Sequence, residues 1–265
     1  MNRAEAMAKA RASRGALPSK AAGVVRATKA ITWVYRWGWS SSKILEIVGG
    51  SVNSGLANRL VRRGFLSARN TESGASGYVP AKFLTLTENG LNIAERDVKD
   101  PGLFLEYQLK PERLDQSKFR HDAIAQTATA KNLKAGLIVD YITEKMGAKF
   151  SEEYVKQHDV IWVNEDGERE GIEVELNKKY SYKLDGFIHS CIQSIQSGRV
   201  SQVLIVTDIR AIQKDYEQAF EVGAKYGHWK KEEGEIKLRK VGIRTVPDFM
   251  KGRVSCQLLD LSNDL

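Results

Sequence analysis

Apolar positions recur at helical spacing over Val25–Trp39, where Ile31, Val34 and Tyr35 share a face. A serine run, Ser40–Ser42, supplies N-caps for a short helix, Lys43–Val48, that Gly49 and Gly50 end. Ser51 is placed to cap a third helix running to Arg63, with Gly64 as its stop. Short β-type runs then occur at Phe65–Ala68 and Phe83–Thr87 around a polar, glycine-rich tip, Asn70–Gly77, which predicts a hairpin with a long loop. The phrase Leu-Thr-Glu-Asn-Gly, ending at Gly90, leads into a last helix, Leu91–Asp97.

Residues 97–117 carry Pro101, Gly102 and Pro111 among charges and read as a connector, with Phe104 and Tyr107 to pack it down. From Lys118 the pattern alternates. Lys118–Lys134 is helical, Asp159–Val163 and Gly171–Leu176 are strands about a turn at Asn164–Gly167, Leu184–Ser197 is helical, Val200–Val206 is a buried-type strand and Ile209–Tyr226 is helical again. An α-β-β-α-β order implies an α/β sandwich with a mixed sheet. The expected division is a flexible basic arm over 1–24, a first domain over 25–96, the connector and a second domain over 118–265.

Charge sharpens this picture. The 265 residues carry a net +8, which points to a polyanionic partner. The arm alone holds Arg3, Lys9, Arg11, Arg14 and Lys20 against Glu5; it reads either as a flexible arm laid along phosphates or as a solubilising or frayed terminus. No stretch is apolar enough to span a membrane, the N-terminus has no apolar signal region, and Cys191 and Cys256 make no disulfide framework, so a cytoplasmic, reducing setting is expected. There is no glycine-rich nucleotide loop.

Three helices followed by a two-stranded wing is the order of a winged helix-turn-helix, and the Leu-Thr-x-x-Gly phrase resembles the end of many such domains. In the third helix Leu56, Leu60 and Val61 suit a core, while Asn53, Asn58, Arg59, Arg62 and Arg63 project outward. Arg and Asn suit base edges in a major groove, and Ser51 and Ser54 suit phosphates, so double-stranded DNA is the expected partner. A protein-binding winged helix with a solvated basic face is the other reading.

Chemistry concentrates in HDVIWVNEDGEREGIEVELNKK, residues 158–179. Alternation along Ile172–Leu176 sends Ile172, Val174 and Leu176 one way and Glu173, Glu175 and Asn177 the other. Adjacent carboxylates within a sheet are costly unless a cation neutralises them, and Asp159 heads the preceding strand. Asp159, Glu173 and Glu175 suit a hard ion, Mg²⁺ or Mn²⁺, that binds a scissile phosphate and activates water; Lys178 or Lys179 would support the nucleophile or the phosphate. The alternative is a solvated sheet face.

At these residues the chain resembles the PD-(D/E)xK nuclease superfamily. Asp159 matches the first acid, with His158 in place of the usual proline; Glu173 matches the second; Glu175 stands where many members have lysine, as in some restriction endonucleases. The resemblance implies a supporting Gln on the Leu184–Ser197 helix, Gln193 or Gln196, and lets His121 and Gln126 face the same site from the first helix. A winged helix ahead of such a core resembles the MOB-C type of plasmid relaxase and the related replication-relaxation proteins, with a restriction-endonuclease-like α/β sandwich. What that implies is a metal-dependent, site- and strand-specific nick at a plasmid transfer origin, with a relaxosome accessory protein as a further partner. The histidines are scattered, so a tyrosine-relaxase metal triplet is missing, although Tyr180 and Tyr182 leave a covalent route open. A transposon-end or restriction-like endonuclease making double-strand breaks and a non-catalytic winged-helix regulator are the competing functions.

Overall fold

The computed structural model describes residues 19–50, 53–96, 98, 104–150, 157–231 and 238–259. Two compact units emerge. One runs to Arg69 and resumes over Lys82–Arg113; the other takes Asn70–Ala81 and continues from Leu114.

The first unit is built from α1 (Ser19–Trp37), α2 (Ser42–Val48), α3 (Leu56–Arg62), the hairpin strands β1 (Leu66–Asn70) and β2 (Lys82–Leu86), and α4 (Glu88–Arg96). Its core is aromatic: Trp33, Tyr35, Trp37, Trp39 and Phe83 are buried with Ile31, Val34, Leu45, Leu60 and Leu86. Ser41 caps α2 as expected, its hydroxyl accepting from the Ile44 amide at 3.3 Å. The third helix is shorter than the pattern predicts. It starts at Leu56 rather than at Ser51, because Asn53 (φ 55°) and Gly55 (φ 63°) are left-handed and break the helix path. Ser51 lies outside the described residues. The loop ahead of α3 is braced by Glu46, whose carboxylate accepts from the amides of Asn53 (2.8 Å) and Gly55 (3.3 Å).

The Leu-Thr-x-x-Gly phrase has a physical basis. The Thr87 hydroxyl donates to the Gly64 carbonyl at 2.6 Å and accepts from the Gly90 amide, opening α4. A Cβ on Gly90 would collide with the Phe65 carbonyl, so only glycine lets the helix approach that closely. The connector does pack. The Tyr35 hydroxyl accepts from the Leu105 amide at 2.6 Å, and the Tyr107 hydroxyl bridges the Leu86 amide and the Gly38 carbonyl.

The second unit contains α5 (Phe119–Ala135), β3 (Asp140–Thr143), α6 (Glu144–Phe150), β4 (Val160–Val163), β5 (Arg169–Val174), α7 (Tyr182–Gln196), β6 (Gln202–Thr207), α8 (Arg210–Ala219), β7 (Lys225–Lys231), β8 (Leu238–Thr245) and β9 (Val254–Leu258). Five strands form a mixed sheet in the order β3-β4-β5-β6-β9, antiparallel through β5 and parallel beyond it. Ile161, Val203 and Ile205 face one helical layer with Phe187, Cys191, Ile192, Ile212 and Tyr216. Trp162, one position on from Ile161, faces the other layer, where its indole donates to Thr129 of α5. The chain is thus mixed α and β, with a three-layered second unit.

Two expectations change here. Ile209–Tyr226 is not one helix: it stops at Ala219, Gly223 takes a left-handed turn (φ 83°), and Lys225 opens a strand. The short strands β3 and β9 and the β7–β8 pair, absent from the sequence reading, complete the fold. β7 and β8 pair only with each other, apart from the main sheet.

Candidate active site

Strand β5 is buried on both faces, which alternation alone does not predict. Ile172 and Val174 are buried on one side, and Glu173 and Glu175 are 4% and 5% exposed on the other. A solvated sheet face is therefore ruled out for these carboxylates. Burial of an ionisable carboxyl requires partners, and each acid has one.

Asp159 ends the turn into β4. Its Oδ2 accepts from the Val174 amide at 2.7 Å, which sets it against the peptide linking Glu173 to the segment bearing Glu175. The same oxygen lies 3.0 Å from His121 Nε2 on α5, and His121 Nδ1 lies 3.3 Å from Asp122. Burial works to lower the His121 pKa, but the bonds to Asp122 and Asp159 and their charges overcome it and raise it to about 10.

Glu173 is held differently. His158, 2% exposed, places Nδ1 2.6 Å from Glu173 Oε1 and Nε2 2.7 Å from Ser194 Oγ on α7. Serine, imidazole and acid in this order match a nucleophilic triad, yet Ser194 is itself 2% exposed and closed off from solvent. The chain of bonds positions Glu173. It has room because residue 171 is glycine: a Cβ there would lie 2.7 Å from the imidazole. A glycine inside a strand is the sequence signal for such a close approach, and His158 is the residue that motif reading passes over as a departure from proline.

Glu175 pairs with Lys179, whose ammonium also lies over the Phe187 ring at 4.6 Å. Burial raises the Glu175 carboxyl above the usual range; Lys179 opposes this, and the charges of Glu173 and Asp159 add to it. The charges of Asp159 and Glu173 thus reach Glu175. Tyr216 of α8 also feels it: burial, then the Glu175 charge, pushes its hydroxyl upward.

The remaining candidates fall elsewhere. Lys178 pairs with Asp215 of α8 at 2.5 Å, so Lys179 is the lysine at the carboxylates. Gln126 is fully buried in α5. Gln193 and Gln196 are exposed on α7, and Ser194 takes the inward position between them. In the first unit Asn58, Arg59, Arg62 and Arg63 are exposed along α3 while Leu56 and Leu60 are buried and Val61 is partly so. Asn53 is exposed too, but in the loop ahead of the helix, and the Arg59 guanidinium is bonded to the Ser54 carbonyl.

Among the described residues no three His, Cys, Asp or Glu side chains are gathered as a ready metal cage, and no helix there is long and apolar enough to cross a membrane. Comparison with protein-family models, curated proteins and solved structures finds no match to this chain.

Proposed function

We propose that this chain is a metal-dependent DNA endonuclease that nicks one strand at a defined site, of the kind a plasmid transfer origin requires. What carries the reading is the Asp159 carboxylate bonded to the Val174 amide, which brings it beside Glu173 and Glu175 at one end of β5. Three oxygen acids without a thiolate fit Mg²⁺ or Mn²⁺ in donor chemistry. Asp159 and Glu173 would hold the ion, with Glu175 released from Lys179 as the third donor. A bound ion would supply charge stabilisation at the scissile phosphate and an acidified water. The chain's own residues prepare the site: His158 orients Glu173, Lys179 neutralises Glu175, and His121 fixes Asp159.

The exposed Arg59, Arg62, Arg63 and Asn58 of α3 supply the DNA side of the reading. Three helices, a hairpin and a closing helix are consistent with a winged helix, and an α/β sandwich with acids on its central strand is consistent with a PD-(D/E)xK nuclease; together they support the MOB-C relaxase resemblance, in a cytoplasmic setting. A non-catalytic DNA-binding regulator is the second reading, and one observation favours it: every acid already has a basic partner within the chain.

Supercoiled plasmid carrying the cognate origin, incubated with Mg²⁺ or Mn²⁺, decides between them. Open circles support the proposal, linear product supports a double-strand endonuclease, and unchanged plasmid supports the regulator. Metal should also raise the melting temperature of the wild type but not of Glu173→Gln, because an ion that binds only the folded site shifts unfolding by mass action. Equal shifts in both would place the ion elsewhere.

A further inference from the structure

A second ion pair stands at the sheet edge that carries the acids. Strands β5 and β6 run parallel with Val174 beside Val206, and the Glu175 amide donates to the Val206 carbonyl at 2.8 Å. Asp208, the first residue beyond β6, therefore stands at the edge where β5 delivers its carboxylates. The open C-terminal edge of parallel strands is where α/β sheets take their ligands. The Asp208 side chain is only 6% exposed, and its Oδ2 accepts from the guanidinium of Arg120, in the first turn of α5. Its Oδ1 is buried with no hydrogen-bond donor among the described residues.

Arg120 and His121 together lay the start of α5 across the end of β5. His121 reaches Asp159 ahead of β4, on one side of β5; Arg120 reaches Asp208 past β6, on the other. Adjacent strands are about 5 Å apart, so Asp208 lies about one strand's width from β5.

The cations bonded to acids at this edge differ in what they have left to give. Both ring nitrogens of His121 are turned to carboxylates, those of Asp159 and Asp122. Lys179 is drawn onto Glu175 and the Phe187 ring, and Lys178 onto Asp215. Arg120 bonds to Asp208, keeps a side chain 44% exposed, and has no other partner among the described residues. A guanidinium carries its several N–H donors in one rigid plane, so most of them remain for a ligand on the solvent side. A buried carboxylate with one oxygen unmatched is a costly way to brace a helix. As a charged acceptor, it is well suited to fixing the direction of a guanidinium.

We propose that Arg120 grips the phosphate to be cut, with Asp208 as its positioning residue. The proposal rests on the endonuclease reading above and adds a substrate contact to it. One part of the guanidinium stays on Asp208 while its remaining donors reach the non-bridging oxygens of the phosphodiester. In a nick a water oxygen bonds to phosphorus and the bond from phosphorus to one sugar oxygen breaks. That oxygen leaves as a hydroxyl, with a proton from the water. Arg120 exchanges no proton in this step; it stabilises the charge gathered on the non-bridging oxygens.

The test uses the full chain with three readouts. Nicking is followed on supercoiled plasmid carrying the cognate origin in Mg²⁺, and melting temperature is measured alongside. In chelator, anisotropy of a labelled duplex of about 30 base pairs, long enough for several phosphate contacts, is read across a salt series. Asp208→Asn keeps the shape and removes the charge. It should melt no lower than the wild type, because an amide replaces a buried carboxylate, while kcat falls about tenfold or more with KM little changed. A pair that merely braces α5 gives the reverse, a lower melting temperature with kcat of the folded protein unchanged, and that result overturns the proposal. Arg120→Ala should nick about 10²–10³-fold more slowly and flatten the salt slope by about one. Arg120→Lys keeps a cation beside the buried Asp208 and serves if the alanine variant misfolds. It should hold the slope but nick about tenfold below wild type, for lack of the planar fork. Wild-type nicking by either Arg120 variant overturns the proposal, as does lost nicking by Arg120→Ala with an unchanged slope. A wild type that leaves the plasmid intact, while Arg120→Ala still flattens the slope, sinks the endonuclease reading and leaves the phosphate contact standing.

Discussion

Charge is handled in opposite ways in the two units. On α3, Asn58, Arg59, Arg62 and Arg63 are exposed; water screens the arginine charges, and Arg59 is tied back to the Ser54 carbonyl. In the second unit Glu173, Glu175 and His158 lie almost wholly out of water, and each has a charged or polar partner. The lesson concerns cost. An exposed cation can be exchanged with little effect on stability, whereas a buried acid binds its neighbours into a unit that fails together. Function in the first unit should be separable from folding; in the second it should not.

The largest expected effect tests the second half of that contrast. Asp159→Ala or Glu173→Ala should abolish nicking, by orders of magnitude in rate, while duplex affinity persists. Glu173→Ala should also cost about 1–3 kcal/mol of stability, because His158 is left buried without its acceptor. Plasmid nicking and urea unfolding read the two consequences. A variant that nicks at the wild-type rate would remove these residues from catalysis.

Gly171→Ala should be next. Its Cβ would sit 2.7 Å from the His158 ring, and forcing the imidazole off Glu173 should cost about 1–3 kcal/mol. Urea midpoints at constant slope give the number. An unchanged midpoint would mean that the relay from Ser194 to Glu173 yields easily, and the claim of a rigid acid would go.

For the first unit, Arg62→Ala and Arg63→Ala should lower duplex affinity by about 1–3 kcal/mol if the residue reads a base, or flatten the salt slope by about one if it contacts a phosphate. Neither should move stability by more than about 0.5 kcal/mol. Calorimetry beside a binding titration separates these. A large loss of stability would erase the contrast between the units.

The smallest effect is spectroscopic. Arg244→Ala removes the positive charge facing His189 and His228, with Lys230 and Tyr226 remaining on the adjoining strand. A cation beside an imidazole opposes its protonation, so both ring titrations should move up toward ordinary histidine values. Imidazole resonances followed between about pH 5 and 8, the window in which histidine titrates, report it. Titrations that stay put would mean that the Arg244 charge does not set them.

Much of the element order was legible in the pattern. The helices α2, α5 and α7, the hairpin and strands β4, β5 and β6 were found to within a few residues, whereas α1 begins at Ser19, inside the stretch expected to be a flexible arm. The misses share a cause. The four-residue β3 and five-residue β9, whose ladder partners are remote in sequence, depend on pairing rather than on local preference, and α3 lost its first turn to left-handed backbone at Asn53 and Gly55.

By itself the sequence singled out the candidates for chemistry: the acids at 159, 173 and 175, the basic face of the third helix, and a net charge suited to a polyanion. Spacing along one strand and one turn is enough for that, since side-chain alternation is a local property of the backbone. Only the tertiary structure decided how those acids are kept. His121 comes from α5, Ser194 from α7, and Lys179 rather than Lys178 turns inward. No local pattern encodes such partners, because the demand for them arises from burial, and burial exists only once the helices have closed over both faces of the sheet.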